Sequence, residues 1–174
     1  MPSAKRSGRS DISAASESLR LNYLNLTELA FLFTCAELSM RMGAVEPRIS
    51  GDQTVELRRA RHPLIDPKRV VPINVSLGDG YDTLIITGPN TGGKTVTLKM
   101  VGLFSMMAMC GLFVPAKRAN VSVFDEIYCD VGDAQSIEEN LSTFSSHITN
   151  IIHILENVNS KSLVLIDELG GGTD

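Results

Sequence analysis

Eight consecutive residues, Gly88-Pro89-Asn90-Thr91-Gly92-Gly93-Lys94-Thr95, bring together what a polyphosphate requires. Gly88 and Gly93 permit backbone conformations and a closeness of approach that a Cβ would block. The amides from about Asn90 to Thr95 are then free to point inward at anionic oxygens. A helix starting here adds the positive end of its dipole. Lys94 supplies a mobile point charge for β- and γ-phosphates, and the Thr95 hydroxyl is the expected ligand of a Mg²⁺ ion. The spacing is that of the Walker A pattern, G-x-x-x-x-G-K-[ST]. A glycine-rich turn with a surface lysine is the plain alternative. The flanks decide between them: an apolar run, Leu84-Ile85-Ile86, precedes the loop and a helix-forming stretch follows it.

A second group of candidates lies downstream. Ser162-Leu163-Val164-Leu165-Ile166 is an apolar strand that ends in Asp167-Glu168, the Walker B arrangement. Asp167 would hold the Mg²⁺ shell, and Glu168 would orient or deprotonate an attacking water. An acid pair at a strand end is by itself only a solvated terminus. Its weight comes from the upstream loop, because parallel strands deliver their carboxyl ends to one edge of a sheet. The Walker B strand is therefore expected beside the strand that feeds the phosphate loop.

The elements that must position these residues follow from periodicity and punctuation. Thr83 to Thr87 reads as a buried strand entering the loop. Val96 to Cys110 reads as a helix, apolar nearly all round, ended by Gly111 and sandwiched in the core. Its methionines fill gaps rather than bind a cofactor. Upstream, Met1 to Ser18 is basic, serine-rich and poor in apolar residues, and reads as a disordered lead-in. Leu19 to Met42 is a helix with a broad apolar face, stopped at Gly43. Arg48 to Gln53 reads as a polar turn, Thr54 to Leu57 as a short strand and Val70 to Leu77 as a β-rich stretch. Val121 to Asp130 is a further strand. The polar segment from Val131 leads to Ser142, a suitable N-cap for a helix through Ile148, Ile151, Ile152 and Leu155. The organisation expected is a lead-in (1–18), a helical arm (19–53) and a nucleotide-binding domain (54–174).

The chain has 174 residues, 43% of them hydrophobic, which suffices for one core. Its formal charge of -4 gives no global pull toward nucleic acid or an anionic membrane. Nucleic-acid binding would need a local patch or further regions. Cys35, Cys110 and Cys129 have neither metal nor disulfide spacing, and read as buried, reduced thiols of a cytoplasmic protein. No apolar run is long enough to span a membrane, and the N-terminus lacks the apolar core of a secretory signal.

Three blocks together resemble the MutS family of ABC-type ATPases: Gly88 to Thr95, Leu141-Ser142-Thr143-Phe144-Ser145-Ser146-His147, and Asp167-Glu168-Leu169-Gly170-Gly171-Gly172-Thr173-Asp174. Arg61-His62-Pro63-Leu64 also matches, and the wording is closest to the bacterial MutS-two branch. The resemblance implies an α/β fold, a P-loop NTPase domain of ABC type preceded by a helical arm segment. It implies ATP and Mg²⁺ as cofactors and a homodimer with composite sites. In each site, one subunit's phosphate loop would face the other's signature segment, with Ser142 and Thr143 meeting the γ-phosphate in trans. It further implies that Asn90 contacts the γ-phosphate or lytic water and that Val70 and Val71 lie near the adenine. His62 and His147 would either lie near the site or serve a structural role, and the Gly170 to Asp174 segment would cross the dimer interface. Branched DNA would be the partner of the intact protein, with suppression of recombination the outcome. Some members of this branch are tied to stalled ribosomes. The family pattern continues past Walker B into more strands, a dimerising segment and, in this branch, an Smr nuclease domain. On that pattern the chain is expected to be a fragment whose C-terminal strands are missing. Gly171 stands where the family more often carries a side chain, which makes that loop more flexible. A RecF- or SMC-like head is the rival, but it carries a longer, glycine-rich signature than Ser142-Thr143-Phe144. A non-catalytic nucleotide-binding remnant is the other.

Overall fold

The computed structural model describes residues 4–89, 92–131 and 140–167, with side chains for 15–89, 92–131 and 147–167. Among the described residues, three helices and six strands make a mixed α/β chain that divides into two units, Met1–Arg41 and Met42–Asp174.

The first unit is nearly all of one helix, α1 (Ala4–Met42). It begins well before Leu19, so the expectation of a disordered stretch through Ser18 is corrected over residues 4–18. The physical reason is cooperativity. Between Pro2 and Pro47 no proline interrupts the chain, and extending an existing helix costs far less than nucleating one. Thr27, Thr34 and Ser39 return their hydroxyls to the carbonyls of Tyr23, Ala30 and Cys35, at 2.9, 2.8 and 2.8 Å, which satisfies them within the helix. The broad apolar face read from the sequence is exposed, including Leu21, Leu24, Phe31 and Phe33.

In the second unit, Gly43 takes φ +54°, the left-handed conformation that ends a helix. The Arg61 guanidinium donates to the carbonyls of Met42 and Gly43 at 3.2 and 2.9 Å. Four strands follow in the order β1-β4-β2-β3: β1 (Arg48–Ser50), β2 (Val55–Ala60), β3 (Ile73–Leu77) and β4 (Arg118–Ser122). β1 runs parallel to β4, whereas β2 is antiparallel to both β4 and β3. Residues 48–50, expected as a turn, therefore form an edge strand. The stretch from Val70 contributes a strand only from Ile73. β5 (Glu126–Asp130) and β6 (Ser162–Ile166) form a separate parallel pair, with Asp130 opposite Ile166.

Val121 to Asp130 is thus two strands in two sheets. The chain crosses between them at Val123-Phe124-Asp125. The Val123 amide donates to Ser50 of the first sheet at 3.1 Å, and the Asp125 amide to Lys161 beside the second at 3.0 Å. Phe124, buried at the crossing, fills the gap.

Helix α2 (Lys94–Met109) packs against both β4 and β6. Its buried Met100, Val101, Phe104 and Met107 join Val55, Leu57, Val114 and Val121 on one side and Leu163 and Leu165 on the other. The sandwiched core helix expected from the sequence is present, although Met106 and Met109 stay exposed. The Gly111 amide donates to Ala108 at 3.0 Å and the Leu112 amide to Met107 at 2.9 Å, a Schellman stop with Gly111 at φ +77°. Helix α3 (Asn140–Asn157) packs on β5.

The apolar run Thr83 to Thr87 joins neither sheet. Leu84 and Ile85 are exposed, Ile85 by 80%. The expected strand feeding the loop is corrected, and with it the expected pairing to the Walker B strand. β6 pairs with β5 instead. An apolar run is necessary for a buried strand, but a ladder also needs the backbone to be laid against a partner edge, and this run pairs with no described strand.

Candidate functional site

The site is built where α2 begins and β6 ends. Gly88, at φ +142°, turns the chain out of the extended run, and Gly93, at φ +77°, is the N-cap of α2. Both need the freedom that glycine has and other residues lack. The Gly92 amide donates to the Pro89 carbonyl at 2.9 Å, closing a turn before the helix. Thr97 returns both its amide and its hydroxyl to the Gly93 carbonyl, each at 2.9 Å. Lys94 folds back across the loop, and its Nζ donates to the Gly88 carbonyl at 2.7 Å. The ammonium therefore sits over the loop. Asn90 and Thr91 lie outside the described residues, as do Glu168 and Gly170 to Asp174.

The decisive contact spans 72 residues: the Thr95 hydroxyl donates to Asp167 Oδ2. The first turn of α2 and the end of β6 therefore converge, although the loop's own feeding segment pairs with no described strand. What sets their spacing is the helix–strand packing. Gly102 lies so close to β6 that an added Cβ would come within 2.6 Å of Leu165 Cδ1. A hydroxyl and a carboxylate thus meet beside a lysine-bearing loop, and both are hard oxygens of the kind a Mg²⁺ ion takes.

One family model, MutS domain V, matches residues 84–174, more than half of the chain. The chain belongs to the MutS family. Its curated relatives include Endonuclease MutS2 of Lactobacillus helveticus, 58% identical over 86% of this chain and 19% of that protein. Endonuclease MutS2 of Lactobacillus gasseri is 55% identical over 92% of this chain and 20% of its own length. Endonuclease MutS2 of Brevibacillus brevis is 54% identical over 94% and 21%. Within the MutS family the sequence is of the MutS2 type, as its motifs suggested. It spans about a fifth of the length of these relatives.

The remaining candidates fall as follows. Ser142 and Thr143 lie in the first turn of α3, whose backbone helix begins at Asn140. Ser142 is therefore inside the helix rather than its N-cap, and its side chain lies outside the described ones. Val71 is 76% exposed, before β3. His62 accepts the Leu64 amide at Nδ1, 3.3 Å away, and so shapes its own turn. His147 reaches Asp130, with Nδ1 3.0 Å from each carboxylate oxygen. The cysteines are unpaired, but Cys110 and Cys129 are exposed, which corrects the expectation of buried thiols. Partial desolvation by its neighbours still pushes the Cys129 thiol up, and the adjacent Asp130 charge adds to this, with Lys99 opposing. Among the described residues no helix is long and apolar enough to cross a membrane.

Sequence reasoning passed over Asp130 and Asn150. A signal existed for the first. Ile127-Tyr128-Cys129-Asp130, like the β6 run, ends in an acid, and two parallel strands that both end so place their acids at one edge.

Proposed function

We propose that this domain binds ATP with Mg²⁺ and hydrolyses it as part of a MutS2-like, DNA-acting protein. The observation that carries the reading is the meeting of Thr95 and Asp167 next to the Lys94-bearing loop. Family membership and the MutS2 relatives support it. The fold this implies is a P-loop NTPase of ABC type. When bound, Mg²⁺ neutralises charge on the phosphates, and Thr95 Oγ1 and Asp167 Oδ2 are the residues that would hold it.

The chain's own residues supply positioning and charge. The amides at the start of α2 are turned toward the phosphates, helped by the helix dipole, while the Gly92 amide closes its turn on Pro89. Lys94 exchanges the Gly88 carbonyl for phosphate oxygens, a charge-assisted contact stronger than the one it leaves. Glu168, next along from Asp167, orients or deprotonates the water that attacks the γ-phosphate. Val71 lies toward the adenine. Two copies form a homodimer in which Ser142 and Thr143, at the start of α3, face the triphosphate held by the other copy. In the intact protein this cycle opens and closes a clamp on branched DNA and so suppresses recombination.

The test is binding of a fluorescent ATP analogue together with phosphate release. Lys94→Ala should abolish binding. Glu168→Ala should retain binding and lose release. Unchanged release in Glu168→Ala would remove that residue as the base, and unchanged binding in Lys94→Ala would refute the site itself.

A further inference from the structure

Asp130 closes β5 and is buried to all but 6%. Its carboxylate takes His147 Nδ1 at 3.0 Å to each oxygen and Asn150 Nδ2 at 2.9 Å to Oδ1. A carboxylate only accepts, so His147 donates from Nδ1. The two donors are three apart on α3 and share a face of that helix. The Asp130 carbonyl accepts the Asp167 amide at 2.9 Å. One residue thus ties together the end of β5, the side of α3 and the carboxylate edge that meets Thr95.

A buried carboxylate is a costly way to hold a helix on a sheet; an apolar residue of the same size would do so with no charge to desolvate. What the carboxylate adds is direction. Two donors at fixed angles allow α3 one rotation and one axial register, whereas apolar packing tolerates sliding. His147 follows Ser142 by five residues, about 7.5 Å along a helix axis. A slip at His147 is therefore transmitted to the helix start.

We propose that Asp130 is a positioning residue that sets the register of α3, and so of Ser142 and Thr143, against the Asp167 edge. It works through His147 and Asn150 and touches no substrate. Its effect falls on the triphosphate held by the other copy. This rests on the composite-site reading above.

Mixing two defective variants separates the possibilities. Lys94→Ala has no phosphate grip but an intact α3. Asp130→Asn keeps its loop but mispositions α3. Asp130→Asn alone should bind the fluorescent analogue within about twofold of wild type and lose kcat at least tenfold, the scale expected for a charge-assisted contact. Mixed one to one, half of the dimers pair the two variants, each with one complete site, so turnover should return to about a quarter of wild type. No recovery, with binding intact, overturns the proposal and assigns Asp130 to its own chain's Asp167. Full activity of Asp130→Asn overturns it too. Wild-type turnover in Lys94→Ala, or turnover by a chain that stays monomeric with ATP, refutes the composite-site reading instead.

Amide exchange gives a readout independent of turnover. Residues 147–157 should lose protection in Asp130→Asn while α2 and β2 keep theirs, and unchanged protection refutes the proposal. If Asp130→Asn does not fold, His147→Ala replaces it in both experiments, because it removes only the partly exposed partner.

Discussion

Replacing Thr95 by alanine tests the contact on which the site depends. In the free protein, the Thr95 hydroxyl donates to Asp167, and both residues are partly buried. A hydrogen bond to a charged group contributes about 1.5–3 kcal/mol, and partial exposure brings this one to or just below the bottom of that range, about 1–1.5 kcal/mol. In a unit the size of Met42–Asp174, 1 kcal/mol moves the melting midpoint by roughly 4 °C, so free Thr95→Ala should melt about 5 °C lower than wild type. The larger effect appears with ligand. At a hundred times its dissociation constant, a Mg²⁺–nucleotide complex stabilises the folded state by about 2.7 kcal/mol, a rise of roughly 10 °C. Losing the hydroxyl ligand should weaken that complex about tenfold, or 1.4 kcal/mol, and halve the rise. The assay is thermal melting with a slowly hydrolysed ATP analogue, with Mg²⁺ and with EDTA. In EDTA, Thr95→Ala and wild type should gain equally, because loop amides and Lys94 do not depend on the hydroxyl. If Thr95→Ala gains as much as wild type in Mg²⁺, Thr95 is only a partner of Asp167, and the metal site proposed here is wrong.

Gly78 has φ +91°, and a Cβ there would lie 2.3 Å from the Gln53 carbonyl oxygen, so Gly78→Ala should destabilise by about 2 kcal/mol or more in urea unfolding. Hydrogen bonds from the Ser50 and Thr54 hydroxyls, with lesser ones from the Thr54 amide and Ser122, hold the Asp52 carboxyl well below its usual 3.8. A depressed folded pKa stabilises above the unfolded value and loses that contribution as pH falls through the folded one. The stability gap between wild type and Asp52→Asn should therefore be constant at neutral pH and shrink progressively below about pH 4 in acid titrations followed by circular dichroism. Alkylation of Cys129 should show a midpoint above the usual thiol value of 9.0, and Asp130→Asn should bring it down by removing the second cause of the shift.

Much of the site was legible because its parts are local. A left-handed glycine, a lysine and a hydroxyl residue at fixed offsets define a loop from within a few residues: Gly88 and Gly93 take positive φ, and Lys94 closes on the Gly88 carbonyl. The same holds for the stops at Gly43 and Gly111, and for β6, whose apolar run has no helical period. What the sequence by itself determined, then, were the chemical groups and the short elements that carry them, together with family membership. Tertiary structure alone decided how those elements combine. Whether Thr83 to Thr87 becomes a strand depends on an edge to pair with, not on its own residues. Where Val121 to Asp130 breaks depends on two sheets competing for its ends. That Thr95 meets Asp167 depends on α2 resting against β6 at Gly102. Asp130 looked like one more acid at a strand end, until α3 laid two donors against it. Each of these outcomes rests on contacts between residues distant in the chain, and residue type constrains such contacts without choosing among them.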